Sequence, residues 1–194
     1  MNKYLIISLV SALLLSCGSS SLSREKYIRY IENPENGLMV EKNIGDYQFS
    51  LLYKPIEYII LKSKDSLLTP QGMETEKQKY KGMQYFTFRI MQNKTGEEES
   101  SVENNPVLTD YLDNYAENDF LLICGKDTLP CLLYHFERSY NAAPYQNILL
   151  GFAETKDQSL IRTLVFNDKA LGTGIVKMSV SNQSIQNIPA LDLN

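Results

Sequence analysis

Residues 120–136 read FLLICGKDTLPCLLYHF: an apolar run, a turn-forming piece, and a second apolar run. Short apolar runs separated by Gly, Pro, Asp and Asn are the pattern of strands joined by tight connections. The same pattern continues through 147–153, 160–166 and 175–180. Sequential strands on short connections usually pair with their neighbours, so the second half of the chain reads as an antiparallel meander. Working back toward the N-terminus, Tyr47, Phe49, Leu51 and Tyr53 alternate with Gln48, Ser50 and Lys54, which is the two-residue period of a strand. Phe86, Phe88 and Ile90 alternate in the same way against Thr87 and Arg89 within 85–91.

Helical spacing occupies three places. Ser23 stands as an N-cap before Tyr27, Ile28 and Ile31, with Leu22 and Tyr27 at the positions of a hydrophobic staple, and Pro34 and Gly37 end the segment. Pro55 opens a short helix carrying Ile56, Ile59 and Ile60. Asn105 and Pro106 start a third, in the first-turn position proline favours, followed by Val107, Leu108, Tyr111, Leu112 and Tyr115. Residues 63–82 are polar and broken by Pro70-Gln71-Gly72, which predicts a long loop. The expected class is α+β: an antiparallel β-meander of six to seven strands packed by two or three helices, with a β-sandwich carrying added helices as the alternative.

Composition narrows the function. The chain has 194 residues, 43% of them hydrophobic, with a formal net charge of −4. Its Lys and Arg are scattered singly or in pairs, whereas neutralising a phosphate backbone requires a clustered basic face, so no nucleic-acid partner is expected. The one charge run, Glu97-Glu98-Glu99, lacks the alternating oxygen ligands and mid-loop glycine of a calcium loop and reads as a solvated loop. No metal and no cofactor are expected.

The N-terminus carries an address. Lys3 precedes an apolar run from Tyr4 to Leu15, about a dozen residues where a membrane-spanning helix needs roughly 20. Leu14-Leu15-Ser16-Cys17 at its end resembles the lipobox of bacterial lipoproteins. The resemblance implies that residues 1–16 are a signal peptide, that the Cys17 thiol receives a diacylglyceryl group, and that the new amino group is acylated after cleavage. Several acyl chains hold a protein stably at a bilayer where one anchors only marginally. Gly18, in place of the Asp that retains such proteins at the inner membrane, implies an outer-membrane location, with the body facing the periplasm. Residues 17–22 then form a lipidated tether of small residues, and 23–194 a single globular domain.

Once Cys17 is taken by lipid, Cys124 and Cys131 remain, in a compartment where thiols oxidise. A two-residue loop at Asp127-Thr128 places them opposite each other as a hydrogen-bonded pair, and two readings stay open: a cross-strand disulfide or two buried thiols. His135 and Glu137, two apart on a strand, share a face and are the catalytic candidates for acid or base chemistry. The chain has no second histidine to complete a zinc site of the usual kind. Arg138, Tyr140 and Tyr145 sit in a connection between two apolar strands, where aromatic and polar groups suit a glycan, a peptide or a partner protein. Gly172-Thr173-Gly174 precedes a strand rather than a helix and reads as a turn. Together these point to a membrane-anchored envelope lipoprotein that binds another envelope protein or a surface ligand. The alternatives are a small hydrolase using His135 and Glu137 and a glycan-binding module using Tyr140 and Tyr145.

Overall fold

The computed structural model describes residues 21–63, 68–93, 106–138, 143–155 and 161–193. Among them are nine strands, more than the six to seven expected, and five α-helices. The strands are β1 (Met39–Ile44), β2 (Tyr47–Lys54), β3 (Met83–Gln92), β4 (Phe120–Cys124), β5 (Asp127–Pro130), β6 (Leu133–Glu137), β7 (Tyr145–Ala153), β8 (Arg162–Asn167) and β9 (Ile175–Val180). The helices are α1 (Arg24–Glu32), α2 (Ile56–Ser63), α3 (Pro70–Lys77), α4 (Pro106–Asn114) and α5 (Asn182–Gln186). The α+β class is as expected.

All the ladders are antiparallel, and neighbours in sequence pair as β1 with β2, β2 with β3, β4 with β5, β6 with β7 and β8 with β9. Two longer-range pairings, β3 with β7 and β4 with β8, divide the strands into two sheets. The orders are β1-β2-β3-β7-β6 and β5-β4-β8-β9. The inward faces meet in an aromatic seam. Phe88 of β3 lies 5.3 Å from Phe120 of β4 and 5.4 Å from Phe166 of β8, and Phe120 stacks on Phe166 at 4.6 Å. Phe49, Leu51, Phe86, Ile90, Ile148, Leu150 and Phe152 complete the inward face of the larger sheet, all fully buried. Each such side chain withdrawn from water contributes on the order of 1.5–3 kcal/mol. Helix α4 joins this core with Leu108 and Leu112, and Tyr134 of β6 donates its hydroxyl hydrogen to the Leu112 carbonyl at 2.6 Å.

Several local expectations are corrected. The stretch 63–82 contains helix α3: Pro70 occupies its first turn rather than breaking it, and Thr69 caps it by accepting from the Gly72 N–H at 3.1 Å. Ser23 does precede α1, but its hydroxyl donates to Glu25 and makes no cap bond. The hairpin after β4 turns at Gly125-Lys126, not Asp127-Thr128, because Gly125 supplies the left-handed φ of +61° that a two-residue turn requires. Cys124 therefore faces Asp127, not Cys131, and both thiols are free.

The ends of the described body are tied together. Leu22 forms a parallel bridge with Leu191: its N–H donates to the Ala190 carbonyl at 2.8 Å, and the Asp192 N–H donates to the Leu22 carbonyl at 2.8 Å.

Candidate functional site

Residues on the outer face of the five-stranded sheet are set by register. Cross-strand partners Glu41, Ser50, Arg89, Asn147 and Glu137 form one polar row across β1, β2, β3, β7 and β6. The next row runs Met39, Leu52, Thr87, Leu149 and His135. A third, Lys54, Tyr85, Gly151 and Leu133, is tightly packed, since a Cβ on Gly151 would stand 2.9 Å from Met83 Cε and 3.0 Å from Leu133 Cβ.

Arg89 is the organising group of the polar row. Its Nε donates to Asn147 Oδ1 at 3.0 Å, and its guanidinium carbon lies 3.9 Å from the Tyr145 ring centroid. A guanidinium held at its inner nitrogen and stacked on an aromatic ring has lost much of its rotational freedom before any ligand arrives. Asn147 Nδ2 continues the row by donating to Glu137 Oε2 at 3.4 Å.

Helices α1 and α2 wall one end of this face. The Tyr58 hydroxyl donates to Glu32 Oε1 at 2.7 Å, and Lys62 Nζ lies 3.3 Å from the same oxygen. Burial, reinforced by that bond to Glu32, raises the Tyr58 phenol well above its ordinary value, so it stays a donor. Lys54, 5.9 Å from the Tyr58 ring centroid, is lowered by burial against an opposing pull from Glu137. Between wall and sheet lies a cleft of about 330 Å³ bounded by Glu32, Tyr58, Ser50, Thr87 and Arg89 over Met39 and Leu52. A second cleft, of about 360 Å³, lies between Tyr53, Pro55 and the tail residues Ile188–Leu191, with Glu57 at its side. Lys77 already occupies that carboxylate at 2.7 Å.

Three of the residues singled out from sequence fall on the outer face. His135 and Glu137 are both exposed there on edge strand β6, and Glu137 bonds to Asn147 while no bond joins it to His135. Tyr145 is there too, with one side of its ring against Arg89. Arg138 instead reaches Asp113 of helix α4 in an ion pair. Tyr140, Cys17 and the run Glu97-Glu98-Glu99 lie outside the described residues. Cys124 is buried in the core, and burial pushes its thiol up. Cys131 is half-buried, donates from Sγ to the Leu133 carbonyl at 3.1 Å, and is pushed up by burial to about 11. The Gly172-Thr173-Gly174 turn is clamped by Asp168, whose Oδ2 accepts from the Thr173 N–H at 2.6 Å and hydroxyl at 2.8 Å.

Sequence reading missed Arg89, Asn147, Ser50, Thr87, Glu32 and Tyr58 as a group. Each is an ordinary polar residue on a strand or helix, and only register and packing bring them together. Among the described residues, no group of three or more His, Cys, Asp and Glu side chains is gathered to hold a metal ion. No described helix is long and apolar enough to cross a membrane.

Neither a family model nor a curated protein matches the chain. Among solved structures, the crystal structure of a DUF4426 family protein from Pseudomonas aeruginosa is similar over 73% of this chain and 90% of that one. The sequences are 12% identical and the TM-score is 0.38, a likeness that carries no argument about activity.

Proposed function

We propose that this chain is a cell-envelope lipoprotein, held at a membrane through acylated Cys17, whose body works by binding. The outer face of the five-stranded sheet is its working surface. The observation that carries this reading is the preset Arg89, fixed by Asn147 and Tyr145 on a face that also presents Glu137 and His135. A side chain immobilised in advance loses less freedom on binding, which favours a ligand that pairs with it. The lipobox, with Gly18 after the cysteine, supports the outer membrane as the site of anchoring and the periplasm as the compartment of the body.

Two experiments test the reading. Intact-mass analysis of membrane-extracted protein is expected to find acyl mass on a chain that begins at Cys17; a chain cut elsewhere and carrying no lipid would remove the anchor. In-cell cross-linking of the lipidated chain, with Cys17→Ser as the unanchored control, is expected to capture a discrete envelope partner. Turnover of an ester, amide or glycoside that disappears in His135→Ala or Glu137→Ala, with the fold intact, would replace binding by hydrolysis.

A further inference from the structure

The cleft beside Arg89 has a more specific chemistry than an open polar face. Arg89 spends its Nε on Asn147, and among the described residues its Nη donors have no partner. Ser50 and Thr87 flank it on β2 and β3, and neither hydroxyl makes a hydrogen bond to another described side chain. Ser50 is only 9% exposed as a residue, and its hydroxyl is not among the buried atoms left without a partner, so what remains accessible of it opens on the cleft. Donors that open on a cleft without protein partners are available to a ligand that enters it. The floor is apolar, made by Met39 and Leu52.

We infer that this cleft binds a small organic carboxylate, its two oxygens on the Arg89 fork and the Thr87 and Ser50 hydroxyls, its apolar body on Met39 and Leu52. The inference rests on reading this face as a binding surface and adds the class of ligand. Planar two-oxygen recognition by a guanidinium suits a carboxylate or a phosphate alike. The wall decides between them. Glu32 lines the same cleft but is already paired with Lys62, which leaves Arg89 as the one charge of the lining without an ionic partner among the described residues, so a monoanion is balanced where a phosphate dianion leaves excess negative charge beside Glu32. The volume of about 330 Å³ lies at the small end of ligand sites and limits the body to one ring or a short chain.

The test uses the full lipidated chain in detergent micelles, with 15N-labelled arginine, following the Arg89 Nε–H resonance. Benzoate is expected to shift it saturably at millimolar concentration, benzamide to leave it unmoved, and phenyl phosphate to bind more weakly than benzoate. Arg89→Lys keeps the charge and loses the fork, and is expected to weaken benzoate binding about tenfold. Thr87→Val keeps shape and strand propensity and should weaken it severalfold, which preserves the test even where an Arg89 variant folds poorly. A resonance that ignores benzoate, responds equally to benzamide, or prefers phenyl phosphate overturns the inference. A captured partner in the cross-linking experiment alongside an unresponsive Arg89 would remove only the carboxylate; loss of both would remove the binding surface itself.

Discussion

Phe88 and Arg89 are neighbours in β3 and belong to two different surfaces. Phe88 is fully buried, with Phe49, Phe120 and Phe166 within ring contact. Arg89 faces outward, touches one asparagine and one tyrosine, and leaves donors unused. Strand alternation separates the two duties at no distance at all: inward positions hold the sheets together, and outward ones remain available to a ligand. Stability and binding should therefore respond to different substitutions one residue apart.

The inner surface gives the largest expected effect. Phe88→Ala should cost about 3–5 kcal/mol, read as a shift of the urea midpoint, because three ring contacts are lost and a cavity remains. A cost no greater than that of a surface substitution would break the comparison. Next, Gly151→Ala tests whether the outer face is uniform. Its new methyl meets Met83 and Leu133 at about 3 Å, so it should destabilise by about 1–3 kcal/mol even though it lies on the outward side. A neutral result would show that the third row is as loose as the polar one.

How much of this contrast is legible in the sequence depends on the element. Strong two-sided alternation exposes β2 and β3 directly, because their inward residues are large and their outward ones polar. Strand β1, Met39–Ile44, escapes notice because it is an edge whose Glu41, Lys42 and Asn43 are all exposed. Strand β5 hides inside what looks like a turn, and ends at Pro130, a residue tolerated at a sheet's edge. Helix α3 is lost because Pro70 and Gly72 look like breakers when one of them is a first-turn residue and the other a partner of the cap. The candidate site is less legible still. Tyr145, Glu137 and His135 stand out as residue types, but Arg89 becomes their neighbour only through the pairing of β3 with β7, which brings Arg89 to an Asn147 that lies 58 residues further on and leaves no local signal.

Both surfaces respond to pH. Burial raises the Cys131 thiol from its ordinary 9.0 to about 11, and raises the phenols of Tyr134 at the inner seam and Tyr58 at the cleft wall above their ordinary 10.0. The folded state thus favours the neutral forms. The stability they supply is complete below the ordinary values and is lost as pH climbs through them toward the folded ones. Urea midpoints should be level near neutrality and fall progressively above about pH 9, with thiol alkylation in the folded protein accelerating over the same window. A midpoint that stays level up to the folded thiol's value of about 11 would contradict the burial of these groups. The smallest effect is expected for Arg89→Gln, which should change stability by about 1 kcal/mol or less, since it removes one stacking contact and one hydrogen bond on a half-exposed face. A larger loss would make Arg89 a structural brace and dissolve the contrast with Phe88.

The Leu22–Leu191 bridge sets the leash. With the proposed lipid on Cys17, four residues separate the anchored cysteine from Leu22, a reach of at most about 17 Å over five Cα steps when fully drawn out. Any tug from the membrane arrives first at the two backbone hydrogen bonds that hold Leu22 beside Ala190 and Asp192. Those bonds decide whether the tug is passed to the folded body as a whole or pays out more line by unpicking α1. On the proposed anchoring, a body tied this short would stay at the membrane surface, and whatever it binds would have to meet it there.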